Sequence, residues 1–571
     1  MIRLYLSLAS VAVLFSPARS LVHPHKDLHS FSGPELVQRD ACSGNTPTTR
    51  SEWCDFSIDT DYSSEAPDTG VTREYWLELT DVTVAPDGVS RSAMAVNGSI
   101  PGPTLFADWG DTVVVHVTNS LTTSQNGTSL HFHGIRQNYT NDQDGVTSIT
   151  QCPTAPGESI TYTWRALQYG STWYHSHFAL QAWQGILGGI VINGPATANY
   201  DEDLGMLFLN DWSHQTVDEL YLSAQQSGPP TLDNGLINGT NTFDDGGSRL
   251  NISFESGKSY RLRLVNGALD THFKFMIDNH TMTVIASDLV PITPYTTDVI
   301  SIGMGQRYDV IVSADASSIA DDFWLRAIPQ SACSENESAD NIRGIVSYSD
   351  SPSTPSTSAY DYTDECDDET ENLIPYLSKT VSTDSLLDSE TATVAFNSDS
   401  LFRWYLNSTT MVVDWQDPTL SQVLSGSTSW ETSNAVLEAP NANEWVYIAI
   451  QTKIPVPHPI HLHGHDFFVI AQGSGTYSSS TTLNLDNPPR RDTAMLPASG
   501  YLVLAFETDN PGAWLMHCHI GWHTSEGFAL QVVERYSEIE GITNSTRLEE
   551  NCQAWSTFQN SIGIEQEDSG V

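Results

Sequence analysis

His-x-His pairs at His131/His133, His175/His177, His461/His463 and His517/His519 punctuate this 571-residue chain, and the last encloses Cys518. Successive side chains of an extended strand point to opposite faces, so each pair sets both imidazoles on one face and Cys518 on the other. One strand therefore offers a thiolate to one metal centre and two imidazoles to another, joined by a few covalent bonds. That arrangement suits the movement of electrons. Imidazole and thiolate together select copper, zinc or iron, and two histidines, one cysteine and a weak fourth position favour a blue copper. A lone His-x-His pair is more often an accident of a strand than a site, but four of them carry eight of the chain's 18 histidines. His458-Pro459-Ile460-His461-Leu462-His463-Gly464-His465, Trp173-Tyr174-His175-Ser176-His177 and the run His517–His523 add context that a stray histidine lacks. The pattern reads as a multi-metal site.

The elements that must position these residues are strands. Alternation and β-branched content between Gly, Pro and Asn turns mark Thr112–Thr118, Tyr260–Val265, Asp309–Ser313, Trp445–Gln451 and Tyr501–Glu507, and long helical patterns are scarce. A weak internal repeat sharpens this. Gly157–Trp164, Trp173–His177 and Gly189–Ile192 form a strand, a histidine-bearing strand and a closing strand, and Ser499–Phe506, Trp514–His519 and Gly527–Val533 repeat the order. Leu250–Pro329 has similar spacing without paired ligands, its Thr271-His272-Phe273-Lys274 standing at the corresponding place. The expectation is an all-β chain of three related β-sandwiches, the outer two carrying ligands and enclosing the cluster between them. Boundaries are expected at 40–195, 196–355 and 389–571, with an acidic linker or surface excursion over 356–388.

At this length the chain holds about three or four domains. Lys and Arg number 24 against 70 Asp and Glu, and the net charge of −46 argues against nucleic acid or an anionic membrane as partner. Residues 1–20 read as a secretory signal: Arg3, the apolar Leu4–Phe15, and Ala18-Arg19-Ser20 as the cleavage site. Residues 21–39 read as a short pro-segment cut after Arg39. Nine Asn-x-Ser/Thr sequons (Asn97, Asn126, Asn138, Asn238, Asn251, Asn279, Asn336, Asn407 and Asn544) fit an exported, N-glycosylated chain. Of seven cysteines, Cys518 is the metal thiolate and six remain to pair. Sequence leaves their connectivity open; proximity favours Cys42–Cys54 and Cys333–Cys366, which leaves Cys152 with Cys552.

Taken together, Leu130–Gly134, Trp173–His177, His458–His465 and His517–His523 resemble the motifs of multicopper oxidases, specifically fungal laccases of the ascomycete type, over nearly the whole chain after Cys42. The resemblance implies three cupredoxin-like Greek-key sandwiches and four copper ions. It implies His458, Cys518 and His523 around a type 1 copper. It implies His131 and His461 on a type 2 copper, with His133, His175, His519 and His177, His463, His517 on a type 3 pair. Phe528 would occupy the axial position without coordinating, which raises the potential. Asp144 would line the water channel toward the type 2 copper, and Asp270 would be the acid of the substrate pocket. Asp568-Ser569-Gly570-Val571 would fold back as a plug in the solvent channel. The implied activity takes single electrons from phenols and aromatic amines through His523 and reduces dioxygen to two waters, in a secreted monomer. A ferroxidase or other metallo-oxidase is the alternative; a copper store or electron carrier would not need eight cluster histidines. Lignin degradation, pigment synthesis and detoxification use similar pockets, so the physiological donor stays open.

Overall fold

The computed structural model describes residues 44–571, except 384–385, 388–390 and 398–401, together with the strand Glu35–Gln38. The secretory signal, Cys42 with its expected bridge to Cys54, and the rest of the 21–39 segment lie outside the described residues.

Strands dominate and form three two-sheet sandwiches in chain order. In the first, the sheet Ser159–Arg165, Thr112–Ser120, Thr72–Val84, Arg91–Val96 packs on the sheet Gly102–Asp108, Leu187–Asn193, Gly170–His175, His131–His133. Thr112–Ser120 shows why: every second residue is buried, the period of a strand with one face on a core. Each sandwich carries at least one parallel pair in each of its two sheets. These are Thr72–Val84 with Thr112–Ser120 and Gly102–Asp108 with Leu187–Asn193 in the first. In the second they are Glu202–Trp212 with Ser259–Asn266 and Asn251–Ser253 with Arg343–Ser347. In the third they are Thr391–Asn397 with Trp445–Thr452 and Val436–Ala439 with Ala529–Glu534. A parallel pair cannot be closed by a hairpin, so each demands a crossover, and the same crossovers recur three times. The repeat legible in the outer segments is thus a shared cupredoxin-like connectivity that the middle sandwich also keeps.

The ligand-bearing strands depart from alternation. Gly170–His175, His458–Leu462 and Gly512–Cys518 are buried at every residue. A strand buried on both faces has a core on one side and another layer on the other. In the third sandwich, His458–Leu462 and Gly512–Cys518 are antiparallel neighbours, with His461 opposite His517 and Ile460 opposite Cys518. In the first, His175 stands opposite His131 across the same kind of ladder.

Two features go beyond the sequence reading. The 18-residue helix Ser545–Ile562, capped by Asn544, carries Cys552 to Cys152 of the first sandwich with Cα atoms 5.0 Å apart. Cys333 bonds Cys366. The acidic run 361–371 is pinned to the body, with Cys366 buried and the Asp368 side chain only 4% exposed, and farther along Leu386–Leu387 pairs with the strand Trp445–Thr452. Among the described residues no helix is long and apolar enough to cross a membrane.

Candidate metal centre

Cys518 ends its strand, His458 begins the neighbouring one, and His523 lies on the short helix Gly521–Ser525 rather than in a simple turn. That helix returns the His523 ring to the face Cys518 occupies. The His458 and His523 Nδ1 atoms are 3.2 Å apart, and Cys518 Sγ lies 3.8 and 3.4 Å from them. A triangle of these edges has its centre about 2.0 Å from each corner, the length of a metal–imidazole bond. Burial pushes His458 down to about 3 and holds His523 well below the usual histidine range, so both rings are neutral acceptors. Two neutral rings that face each other through Nδ1 can share at most one hydrogen bond, whereas a cation beside them can take a lone pair from both. Burial also pushes the Cys518 thiol up, so its thiolate needs that cation. Soft sulfur with two imidazoles fits copper. The Phe528 ring, 1% exposed and 5.0 Å from the His458 ring, offers no donor.

On the opposite face of the same strand, eight imidazoles converge, four from each outer sandwich. Three groups have ligand nitrogens within 4.8 Å of one another: His133, His175, His519; His177, His463, His517; and His131, His133, His461. The ring centres of His131 and His463 are 4.1 Å apart, and those of His133 and His461 are 3.9 Å apart. Outward-facing bonds fix the rings. Nδ1–H donates to a backbone carbonyl from His131 (Asp144, 2.8 Å), His175 (Ser176, 2.9 Å), His461 (Asp492, 2.8 Å) and His517 (Cys518, 2.9 Å). From His463 it donates to the Asp144 carboxylate at 2.9 Å. All five leave Nε2 buried with no protein partner. Burial and mutual repulsion hold six of the eight well below the usual range, and burial brings His517 to about 4. Neutral rings with orphaned, converging nitrogens are what a metal cluster requires.

Asp144 is fully buried, and its carboxylate lies 2.9 Å from His463 Nδ1 and 3.2 Å from His131 Nδ1. It couples a ring from each outer sandwich. Sequence reasoning missed a second carboxylate, Asp492, whose Oδ1 is 3.2 Å from His133 Nε2. Its only signal was a charged run, Arg490-Arg491-Asp492, inside an otherwise buried segment.

The Cys518 side opens to a cavity of about 540 Å³ lined by His523, Asp270, Trp404, Phe402, Phe396 and Glu335, among others. The Trp404 ring sits 4.3 Å from that of His523, and its Nε1–H donates to Glu526 at 3.1 Å. Neither Trp404 nor Glu526 was singled out from sequence. Asp270 is held at the cavity wall by the Asp211 carboxylate, which accepts the backbone N–H groups of Leu269, Asp270 and Thr271 at 2.8, 2.9 and 3.1 Å. Burial, then Asp211 and Glu526, pushes the Asp270 carboxyl well above its ordinary value.

The tail is packed rather than free. Val571 is 1% exposed among Val146, Ile149 and Leu515. Ser569 N–H donates to Ser525 O at 2.9 Å, and Thr147 and Ser148 hydroxyls donate to Gly570 O at 3.2 and 2.7 Å. Gly570, at φ 95°, has the Val413 carbonyl where a Cβ would stand.

Comparison with known proteins places these features. Models described as multicopper oxidase match residues 78–197, 203–351 and 412–538. Laccase-2 of Botryotinia fuckeliana is 48% identical, covering 98% of this chain and 99% of its own. The laccase of Neurospora crassa is 40% identical, covering 92% and 89%. The crystal structure of a laccase from Botrytis aclada superposes with a TM-score of 0.89 at 46% identity, covering 93% of this chain and all of that one. Fet3p, titled a multicopper oxidase that functions in iron import, gives 0.75 at 27% identity, covering 88% and 97%.

Proposed function

The chain belongs to the multicopper oxidase family, among its laccases, and from that premise we propose that it oxidises phenols and aromatic amines one electron at a time and reduces dioxygen to two waters with four coppers. Its ligands are His458, Cys518 and His523 for the type 1 ion, His131 and His461 for type 2, and the remaining six histidines for the type 3 pair. The observation that carries the reading is the single run His517-Cys518-His519, whose sulfur belongs to one constellation and whose imidazoles belong to the other. When bound, the copper ions supply one-electron acceptance at the first site and four-electron reduction of dioxygen at the second.

The chain's own residues do the rest. His523 brings the electron-accepting site to the cavity wall, and Trp404, Phe402 and Phe396 offer aromatic faces to an aromatic donor. Cys518 is bonded through backbone to both cluster histidines beside it. Phe528 packs a ring without donor atoms 5.0 Å from the His458 ring, so a copper held by His458, Cys518 and His523 would gain no ligand from it, which would disfavour its cupric state. Asp270 takes the phenolic proton as the electron leaves, and Asp144 steers protons toward the cluster while orienting two rings. Iron oxidation would call for acidic residues close to His458 and His523. The cavity has Asp270 and Glu335, but its aromatic walls favour phenols. Dioxygen uptake with a phenol, ferrous ion and ascorbate in parallel tests this, and ferrous ion as the best donor would reverse it.

Asp270 must be ionised to accept a proton, so phenol oxidation should rise as pH climbs through its elevated value. Asp270→Asn should flatten that limb and slow phenols roughly 10²-fold or more, while sparing a non-phenolic one-electron dye. Equal losses for both donors would leave Asp270 a structural residue.

Residues 568–571 act as the plug. Burial raises the Asp568 carboxyl to about 7. A carboxyl raised on docking favours the docked form most below its free value of 3.8, and that advantage fades as pH rises to about 7. Deleting the four residues should slow turnover and alter the cluster's spectra without touching the blue band. Unchanged turnover and spectra would make the tail a passive end. Secretion, N-glycosylation and a monomeric state complete the proposal. Secretion and N-glycosylation are supported by the signal read in residues 1–20, by bonds that suit an oxidising compartment, and by sequon asparagines none of which is fully buried.

A further inference from the structure

The middle sandwich supplies none of the eight cluster histidines, yet its side chains end against them. One histidine explains why. Five rings turn Nδ1–H outward and leave Nε2 unpartnered; His133 does the reverse. Its Nε2 lies 3.2 Å from Asp492 Oδ1 and 3.3 Å from Thr493 Oγ1, and its Nδ1 is buried without a protein partner. A neutral imidazole carries one proton, and the nitrogen facing a carboxylate carries it, so Nδ1 is the free lone pair. His133 stands within ligand distance of His175 and His519, and also of His131 and His461.

Asp492 can select the tautomer only if its carboxylate cannot turn. Arg307 of the middle sandwich prevents turning: its Nη1 and Nη2 donate to Oδ1 and Oδ2 at 2.6 and 2.5 Å. Arg307 has no exposed side-chain surface and is itself held by the Gly305 carbonyl at 3.1 Å and by Asp288 at 3.4 Å. Asp288 also accepts the backbone N–H of Asp492 at 3.1 Å and pairs with Arg491 at 3.1 Å. Gly305 lies flat on the cluster, where a Cβ would come within 2.9 Å of the His519 ring and 3.2 Å of that of His133. Histidine, arginine and carboxylate thus come from the first, second and third sandwiches.

We infer that Arg307 is a positioning residue for the cluster: it locks Asp492, which keeps the proton on His133 Nε2 and presents Nδ1 inward. The inference rests on the ligand set proposed above. Only a planar two-pronged donor can grip both oxygens at once, so lysine should not replace it even though the charge is kept.

Competition for copper between the purified protein and a chelator, followed by metal analysis and by the electron paramagnetic resonance of the cluster, tests it. Arg307→Lys should keep the blue band but bind cluster copper roughly 10–100-fold more weakly. Asp492→Asn should do the same by a different route. Arg307 donates to both oxygens, so an amide sets its N–H₂ against one prong whichever way it turns, and the grip that holds the acceptor on His133 Nε2 is lost. Should Arg307→Lys fail to fold, Asp492→Asn alone still tests the contact to His133. Arg326→Lys, at the buried Asp278 pair elsewhere in the same sandwich, controls for loss of an ion pair and should lose stability without selective copper loss. Parent-like copper affinity and resonance in both cluster variants, or an equal loss in the control, would overturn the inference. Absence of cluster copper in the parent would instead overturn the ligand set.

Discussion

Cys518→Ser is expected to abolish the intense blue absorption and donor oxidation together, while the chain stays folded. Cys518 is the one free cysteine among the described residues, is fully buried, and sits in the triangle with His458 and His523. A hydroxyl is a poor copper ligand at neutral pH and lacks the polarisable sulfur that gives the colour. It also breaks the covalent path from the donor side to His517 and His519. The substitution is nearly isosteric, and the neighbouring main chain has its own bonds, including Cys518 N–H to Phe528 O at 3.1 Å. Far-ultraviolet circular dichroism should therefore match the parent, and turnover should fall to background. A variant that stays blue would remove Cys518 from the electron path.

Asp144→Asn should produce the second largest loss, with the opposite spectral signature. Asp144 accepts His463 Nδ1–H through one oxygen and sets the other 3.2 Å from His131 Nδ1, so in the amide one of these two places falls to N–H₂. The N–H₂ then meets an Nδ1–H, or the ring shifts its proton and turns the wrong nitrogen inward. Loss of an outer-shell carboxylate typically costs about 10–100-fold in metal affinity or rate. Loss of a proton-transfer group adds about 10²–10⁴-fold where that step limits. Dioxygen reduction should fall by about 100-fold or more, some 2.7 kcal/mol of barrier, while the blue band and its reduction by donor under anaerobic conditions are unchanged. Rapid anaerobic bleaching followed by slow return of colour in air is the expected record. Recovery at the parental rate would reduce Asp144 to a turn residue beside Gly145.

The candidate ligands were legible because metal binding by a strand writes itself as a period of two, and His-x-His is that period in ligand residues. The sandwiches were legible because the outer copies repeat strand, ligand strand and closing strand, with the middle copy spaced alike. What stayed hidden is long-range. His133 and Asp492 are 359 positions apart, and nothing near either one announces the other. Arg307 reads as one cation in the ordinary strand Arg307–Ser313 until Asp492 is seen against it. Trp404 lies in a four-residue strand before a turn, and its packing against His523 depends on how the third sandwich closes. The helix Ser545–Ile562 buries only Leu548 and Trp555 fully, too thin an apolar stripe to signal a helix. Composition gave no hint that Asp368, within the acidic stretch, turns inward to Gln306, Met495 N–H and Arg491.

The central claim is that one strand joins a single-electron site to a cluster able to hold four electrons' worth of chemistry. Counting electrons per dioxygen tests it most directly: phenol oxidised and oxygen consumed are measured in the same vessel, with peroxide assayed at the end. The account predicts four one-electron oxidations for each dioxygen and no peroxide. Two per dioxygen with accumulating peroxide would contradict it.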